Sequence, residues 1–367
     1  MPRARIHQLI LSAIARRLVV ALALAAFLPV GAIGAEGVLE IYFIDTEGGQ
    51  ATLLFSPTGG TLLIDTGFAG LDTANPDKES GRDAARIAEV AKIAGARQID
   101  VLLATHFHGD HAGGVTNLVA ALPIRMFVDH GPAMQDVPIM RQKVGSYSEP
   151  WAEAFAKAQH RAVSAGDTIG VAGLEVTVVQ ALGKSIERTG DANLACLGVE
   201  RRMDGNPEDT ASVGVVIAYG RFRFANFGDL PWNQEVQLLC PSNRVGTIDV
   251  YQSARHGGEP SPGVYGMAPR VVVHDNGARK GGGPVALKAF RGSPGIEDIW
   301  QLHKNIPGGA DGNPPDEFSA NLQDTDDTNH PAHYLKLSAK DDGSFSMFNS
   351  RTRMTKVYGA RHAAEAR

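Results

Sequence analysis

The sequence has little that would mark a disulfide-rich, membrane-embedded or nucleic-acid-binding protein. It has two cysteines in 367 residues, so at most one disulfide can form within the chain. No apolar run approaches the roughly 20 residues with which a helix spans a bilayer. Acidic residues outnumber basic ones, 40 to 35, which argues against a nucleic acid as partner, although a local basic patch remains compatible with this charge. Neither a phosphate-binding loop pattern nor a fixed-period repeat occurs.

What is present has the composition of an ordinary globular protein. Hydrophobic residues make up 43% of the chain and charged residues 20%. The length suits one large domain or two small ones and allows a sizeable core. The 42 glycines indicate many tight turns and close backbone approaches.

The first 35 residues show the order of features that is typical of a secretory signal. Four arginines and no acid occur in residues 1–17, an apolar run of 11 residues follows at 18–28, and small residues at 32–35 suit cleavage. An uncleaved membrane anchor is the alternative. In either case we expect the folded part outside the cytoplasm, periplasmic or secreted. Cleavage would leave no stable membrane span and, with four arginines lost, would take the formal charge from −5 to about −9.

The two cysteines, Cys196 and Cys240, have two open interpretations. In an oxidising compartment they could pair. Alternatively they are separate buried thiols, since the sequence does not set the distance between them.

The apolar patterns predict a strand-rich chain in two halves of similar style. Strands are predicted at Ile99–Ala104 and on both sides of Gly220, and the other strand-like runs outnumber the helices. Helices are predicted at Arg82–Ile93, Gly113–Leu122, Trp232–Leu239, Pro284–Phe290 and Gly295–His303. Two such halves could face each other as two sheets with helices outside, which makes the fold class α/β. No boundary divides residues 36–367, so we expect one domain that closes with a C-terminal hairpin.

A short histidine-rich loop is the most informative segment. Residues 105–111 read T-H-F-H-G-D-H, so His106, His108, Asp110 and His111 are four potential ligands within six residues. The segment follows a predicted buried strand and precedes a predicted helix. Imidazole and carboxylate together suit zinc, and also iron or manganese. Without a cation, such crowded groups would repel one another or titrate.

This loop resembles the H-x-H-x-D-H signature of the metallo-β-lactamase superfamily. Upstream, Leu62–Gly67 is similar to the family's L-I-D-x-G segment, in which the aspartate, here Asp65, typically braces the metal loop. Downstream, residues 227–230 resemble the family's G-D motif and residues 254–258 its last histidine motif. The resemblance runs from about residue 38 to about residue 273. It implies a four-layer αββα sandwich.

The resemblance also implies a metal centre and a reaction class. One ion would be bound by His106, His108 and a third histidine, and a second ion by Asp110, His111 and His256, with Asp229 as the bridge. Asp110 and Asp229 would then be the catalytic carboxylates. The implied cofactor is Zn²⁺, one or two ions, with Mn²⁺ or Fe²⁺ as alternatives. A metal-bound hydroxide would attack an ester, phosphoester, lactone or amide, so neither serine nor cysteine is required as nucleophile.

The sequence departs from the family pattern at the third histidine. No histidine occurs between Gly166 and Asp229, where that ligand is expected. His130 follows a predicted strand and is either an additional metal ligand or a turn histidine. Asn193 and Cys196 fall near the missing motif and could line the site without binding metal. The number of ions, one or two, therefore stays open.

A particular branch of the family has the same departure. Residues 43–51 resemble the opening of the exported branch that is related to the competence-type DNA-uptake proteins. That branch tends to lack a clear third histidine. It commonly ends its last motif with H-H-G, whereas Arg255 stands at the first histidine here.

A glycine-rich loop at residues 275–283 supplies candidate substrate contacts. Asn276, Arg279 and Lys280 are possible substrate contacts, of which Arg279 and Lys280 could hold a carboxylate or a phosphate; a solvated turn is the alternative. Together these features predict an exported metal-dependent hydrolase acting on a small molecule. The alternative is a non-catalytic binding protein with an incomplete metal site. The sequence gives no indication of the oligomeric state.

Overall fold

The computed structural model describes residues 37–71, 74–134, 145–203, 205–324 and 332–361. The predicted signal segment, residues 1–35, lies outside the described residues. Within these ranges no helix combines the length and the hydropathy that a bilayer crossing needs.

The first sheet has nine strands. In chain order they are β1 Val38–Phe43, β2 Thr52–Phe55, β3 Thr61–Ile64, β4 Ile99–Leu103, β5 Ile124–Asp129, β6 Gln159–Ala162, β18 Leu335–Lys340, β19 Phe345–Asn349 and β20 Thr355–Tyr358. Their spatial order is β20-β19-β18-β1-β2-β3-β4-β5-β6. β3 to β6 run parallel and the other neighbours antiparallel. The C-terminal strands thus extend the sheet beyond β1.

The second sheet also has nine strands, of which β9 pairs only with β8. In chain order they are β7 Thr168–Val171, β8 Leu174–Ala181, β9 Lys184–Ser185, β11 Gly214–Tyr219, β12 Phe222–Asn226, β14 Val250–Gln252, β15 Val271–His274, β16 Asp298–His303 and β17 Ser319–Asn321. The path is β17-β16-β15-β14-β12-β11-β8-β7, and β12 to β17 along it are parallel. A separate two-stranded pair joins β10 Asp191–Ala192 to β13 Ser242–Asn243.

Helices cover the outer faces of both sheets. Those of five or more residues are α1 Arg82–Ala94, α2 Val115–Ala121, α3 Ser148–Phe155, α4 Pro207–Ala211, α5 Trp232–Leu239 and α6 Pro284–Arg291, with 3₁₀ turns at Leu194–Cys196, Pro262–Met267 and Asp316–Phe318. On the first sheet, Trp151 of α3 packs edge-on against Phe127 of β5, with ring centroids 5.2 Å apart. On the second sheet, Leu238 of α5 and Phe290 of α6 share a buried cluster with Tyr251 of β14.

The inner core lies between the two sheets. Side chains such as Leu62 and Val101 from the first sheet meet Val215 and Phe224 from the second in one buried cluster. The chain is therefore an α/β protein built as a four-layer αββα sandwich, as the sequence predicts. Burial of the apolar side chains on the facing sides of the two sheets favours this packing.

One predicted helix is wrong. The segment Gly295–His303 contains β16, which is parallel to β15. Trp300 belongs to the inner core, whereas its neighbour Ile299 packs in the outer cluster under the helices. Both faces of this strand are buried, and that burial depends on neighbouring elements that the local sequence does not show.

Cys196 and Cys240 form a disulfide. Cys196 ends a 3₁₀ turn, and Cys240 directly follows α5. The bond closes a loop across 44 positions and ties the segment before α4 to the end of α5. Of the two interpretations of the cysteines, the structure supports pairing.

Glu235 of α5 should make stability depend on pH. Its carboxylate is buried and accepts hydrogen bonds from the Ser261 N–H at 2.6 Å and the Tyr251 hydroxyl at 3.2 Å. Burial raises the pKa of Glu235 from 4.5 to about 7. Because the folded state holds this proton more tightly than the unfolded chain, its contribution to stability is full below pH 4.5 and is lost as the pH rises to about 7.

We expect Glu235→Gln to remove this part of the pH dependence, worth about 3 kcal/mol between pH 4.5 and pH 8. Urea unfolding of both proteins at several pH values measures it. As the pH rises, the unfolding free energy of the wild type should fall relative to that of the variant. A difference that stays constant across this range would contradict the assignment.

Candidate metal centre

Three side chains converge in a first ligand group. His106 and His108 come from the loop after β4, and Asp209 comes from α4. The Nε2 of His106 lies 2.9 Å from Nδ1 of His108, which lies 3.0 Å from Oδ1 of Asp209. The remaining edge, from His106 Nε2 to Asp209 Oδ1, is 3.5 Å.

Four side chains form a second group beside the first: Asp110, His111, Asp229 and His256. The Nε2 atoms of His111 and His256 are 3.2 Å apart. Oδ1 of Asp229 lies 3.3 Å from the first of these nitrogens and 3.4 Å from the second. Oδ2 of Asp110 is 3.2 Å from the His256 nitrogen. All ligand candidates that the sequence places in this group are therefore brought together.

The fold explains this convergence. The histidine loop follows β4 of the first sheet, whereas Asp229 follows β12 and His256 follows β14 of the second. The carboxyl ends of these strands meet at one edge of the sandwich, where the Val213 N–H donates to the Thr105 carbonyl at 2.8 Å. Loops at such an edge can hold functional groups on a rigid scaffold.

The residues present fit a divalent metal ion. A tetrahedron with metal–ligand distances of about 2.1 Å has edges of about 3.4 Å, close to the separations in both groups. One carboxylate oxygen each of Asp110, Asp209 and Asp229 is buried and forms no hydrogen bond within the described residues. Buried acceptors without partners are costly, and a cation would satisfy them.

The charges of the second group also favour a cation. Burial acts to lower the pKa of His111, but the carboxylates of Asp229 and Asp110 raise it to about 10. Burial acts to raise the pKa of Asp110, but Lys280 and His111 hold it well below its usual value. The carboxylates therefore stay ionised, and they create a negative potential that a divalent ion would neutralise.

Asp209 is the residue that the sequence analysis missed. In the first group it stands where the family resemblance implies a third histidine, so a carboxylate could complete that group. Its neighbour Glu208 is buried and fixes α4, since it accepts hydrogen bonds from the main-chain N–H groups of Phe107 at 2.8 Å and Met134 at 2.7 Å. In sequence, residues 206–209 indicate only an Asn-capped helix start.

Three candidate residues have other contacts: His130, a possible additional metal ligand, and Asn193 and Cys196, which could have lined the site without binding metal. His130 belongs to neither ligand group, because its Nε2 lies 3.0 Å from the Glu208 carboxylate and its ring packs on Phe107. Asn193 donates to the Leu239 and Gly263 carbonyls. Cys196 is in the disulfide. None of the three belongs to either ligand group within the described residues.

Asp65 braces the histidine loop. Its Oδ2 lies 2.7 Å from Nδ1 of His111 and accepts from the Thr105 hydroxyl at 2.7 Å, while its Oδ1 accepts from the Thr105 N–H. Asp65 has a φ of 62°, a left-handed conformation that few residues other than glycine adopt. A carboxylate behind a ligand imidazole fixes the tautomer and the direction of the ring.

A second carboxylate, Asp275, stands behind His256 in the same way. Its Oδ2 lies 3.4 Å from Nδ1 of His256, both side chains are buried, and neither of these atoms has a hydrogen-bond partner in the described structure. His256 itself has a φ of 56°, so its backbone is held in a strained conformation. With His256 as a metal ligand through Nε2, its Nδ1–H would be placed to donate a hydrogen bond to the Asp275 carboxylate.

We therefore expect Asp275→Asn to weaken metal binding about 10–100-fold. Competition with a chromogenic chelator measures the dissociation constant of each ion. The metal-free variant should unfold at the wild-type temperature, which separates loss of positioning from loss of structure. Unchanged affinity in a folded variant would refute the role of Asp275.

The three predicted substrate contacts have different surroundings. The Lys280 ammonium pairs with the Asp110 carboxylate and lies 5.5 Å from the centre of the Phe68 ring, so it reaches the second ligand group. Arg279 pairs with Asp324 at the surface. Asn276 is fully buried and bonds to the main chain of His303 on both sides of its amide, so it supports the loop and is not exposed to a substrate.

Part of the chain matches a known protein family. A family model described as the metallo-beta-lactamase superfamily matches residues 45–152, which include Asp65 and the histidine loop. A comparison with curated proteins gave no significant match.

Several solved structures are similar to the chain. Tm1679, described as a metal-dependent hydrolase of the beta-lactamase superfamily, is 16% identical with a TM-score of 0.44, over 73% of this chain and 97% of that one. The metallo-beta-lactamase fold protein YhfI from Bacillus subtilis is 10% identical with a TM-score of 0.43, over 72% and 96%. A motif mutant of a metallo-beta-lactamase from Cronobacter sakazakii is 15% identical with a TM-score of 0.36, over 57% of this chain and 75% of that one.

The αββα sandwich, the two ligand groups at its edge and the matched segment agree with one another. The groups could hold divalent metal ions, as in a fold of the metal-dependent hydrolase type. Residues 45–152, which carry Asp65 and the histidine loop, match the metallo-β-lactamase superfamily.

Proposed function

We propose that the protein is an exported hydrolase that uses two divalent metal ions on an ester, phosphoester, lactone or amide of a small molecule. The observation that carries this proposal is the convergence of seven side chains from four separated segments at one sheet edge. Such a set of imidazoles and carboxylates has no structural use without a cation, because its members are buried and crowded.

The position of each residue suggests its role in the site. His106, His108 and Asp209 would hold one ion, and Asp110, His111 and His256 the other, with Asp229 between them. When bound, divalent ions make water a nucleophile at neutral pH and stabilise negative charge on the attacked group. Asp65 keeps His111 oriented, and the Lys280 ammonium at the rim is placed to attract a negatively charged group of the substrate.

Zinc is the first candidate for the metal. Manganese and iron are stronger alternatives here than they would be if the first group had three histidines. Asp209 adds a third carboxylate to the two groups. Oxygen ligands suit harder cations such as Mn²⁺, whereas imidazole suits zinc. The metal that co-purifies with the protein identifies the ion.

Export is supported by two independent features. The first 35 residues have the basic, apolar and small-residue order of a signal. The disulfide between Cys196 and Cys240 suits an oxidising compartment and is rare in the cytosol. We propose a periplasmic or secreted location. N-terminal sequencing of protein recovered from the periplasm or the medium tests it, and a chain that still carries residues 1–35 in the cytoplasm contradicts it.

The reaction class is tested with the processed protein and a panel of chromogenic phosphodiesters, lactones, esters and the β-lactam nitrocefin. Turnover of at least one substrate that a chelator abolishes, and that added metal restores, supports the proposal. Chelator-insensitive turnover, or none from protein that holds metal, contradicts it.

A non-catalytic binding protein is the second candidate. It is favoured by Lys280, whose ammonium pairs with Asp110 and could take the place of the second ion. Metal analysis separates the two candidates. Two ions per chain after gentle purification support the hydrolase, whereas less than roughly half an ion supports the binding protein.

A further inference from the structure

Two adjoining clefts lie outside the metal centre. The larger has a volume of about 1020 Å³ and the smaller about 520 Å³, and Arg188 lines both. None of the seven ligand candidates lines either cleft. We call the two together the arginine cleft.

The smaller cleft lies at the end of the second sheet opposite to the metal centre. Gly220 and Arg221 line it at the turn before β12, and Thr247 and Asp249 line it just before β14. The metal ligands of these strands come after their other ends. A five-residue strand such as β12 is about 16 Å long, so a ligand in this cleft would not touch the ions.

The lining of the arginine cleft is positive, although the whole chain is acidic. The cations are Lys184, Arg188, Arg221, Arg223, Arg244 and Arg361. The carboxylates are Glu187, Asp191, Asp249 and Asp342. Asp249 is already engaged, because it pairs with Arg361 at 3.0 Å and accepts from the Arg223 N–H. Within the described residues, Lys184, Arg188, Arg221 and Arg244 form no ion pair.

Arg223 shows that this charge is not balanced by the protein. Its guanidinium is half-buried, and its Nη2 donates to the Val245 carbonyl at 3.2 Å. Its Nε forms no hydrogen bond in the described part of the chain. Burial lowers the pKa of Arg223, and the nearby charge of Arg188 lowers it further against the opposing effect of Asp249. An anion between these guanidinium groups would relieve the repulsion.

We propose that the arginine cleft binds a multivalent phosphate-bearing ligand, at a site separate from the metal centre. Arginine presents planar pairs of N–H donors that match phosphate oxygens, which lysine and main-chain groups do not. Two clefts that share Arg188 leave room for more than one phosphate group. The net acidity of the surrounding surface would exclude anions that do not reach several of these cations at once.

The ligand is a soluble polyphosphate or a phosphorylated headgroup at a membrane, and two probes distinguish these sources. Calorimetry with tripolyphosphate tests the soluble form, and sedimentation with phosphatidic acid vesicles tests the membrane form. The processed, metal-loaded protein is used in both. We expect binding in at least one of the two.

Variants locate the binding. Arg188→Glu should weaken binding about tenfold or more, because Arg188 faces both clefts. The matched control is Lys92→Glu on α1, which makes the same charge change at an exposed position. It should alter affinity less than about twofold. Asp229→Asn should leave binding in place, since this substitution affects only the metal centre.

Three results would overturn the proposal. One is equal weakening by Arg188→Glu and Lys92→Glu, which would mean non-specific attraction. Another is loss of binding in Asp229→Asn, which would place the phosphate at the metals. The third is no binding of either probe by the wild type.

Discussion

Asp229→Ala should lower turnover of any substrate that the protein hydrolyses by about a thousandfold or more. The Asp229 carboxylate lies within 3.4 Å of the metal-facing nitrogens of both His111 and His256. Its charge also acts on His106 and Asp209 of the first group. Since it faces both groups, its removal should disturb both ions, and metal content should fall with activity.

We would measure kcat/KM on a substrate of the chromogenic panel that the wild type hydrolyses, together with the number of metal ions per chain. The matched control is Asp316→Ala, which removes an exposed carboxylate that pairs with Lys304 at the surface. The control should keep nearly full activity and both ions. An Asp229→Ala protein that retains more than about half of either would remove the basis for a two-metal centre at this edge.

Replacement of Asp209 should affect the first ion selectively. We expect Asp209→Ala to weaken binding of that ion about 100-fold or more, because two histidines remain as its protein ligands. Asp209→His restores the three-histidine pattern of the family. It should bind two ions and favour zinc over manganese more strongly than the wild type, because an imidazole replaces a hard carboxylate.

Titration with each metal, followed by elemental analysis, gives the two affinities. Glu89→Ala, at an exposed carboxylate on α1, is the control and should bind metal like the wild type. If Asp209→Ala holds the first ion as tightly as the wild type, Asp209 is not a ligand and the first group lacks a third residue.

The sequence was sufficient for those parts of the site that depend on local pattern. The histidine loop follows a buried strand, and the signature residues of the family lie within six positions of one another. Asp229 and His256 follow strand-like runs of the second half, and the resemblance of their surroundings to the family's later motifs connected them with the loop. The two-sheet architecture followed from the same alternation of buried runs.

Asp209 could not be found in this way, because a carboxylate in a short helix start has no pattern of its own. Only the pairing of the two sheets brings α4 to the histidine loop, through the bond between Val213 and Thr105. The helix predicted at Gly295–His303 failed for a related reason. Burial of both faces of β16 depends on its neighbours β15 and β17 and on α6, which local sequence does not show.

The arginine cleft was also beyond sequence analysis. Its cations are spread from Lys184 to Arg361, with no run that exceeds the background of an acidic chain. Arg221 and Arg223 lie together because the turns before β12 and β14 are at one end of the second sheet, whereas Lys184 lies on β9 beside the end of β8. Such a patch forms only when the fold brings distant residues together, whereas the ligands of the histidine loop are neighbours in the sequence.

The most direct measurement is anomalous diffraction from crystals of the metal-loaded protein, recorded at the absorption edge of the bound metal. We predict two peaks, one about 2.0–2.3 Å from ligand atoms of His106, His108 and Asp209, and one at the same range from Asp110, His111 and His256. The Asp229 carboxylate should lie between the two. Peaks elsewhere in the molecule, with none among these side chains, would contradict the account.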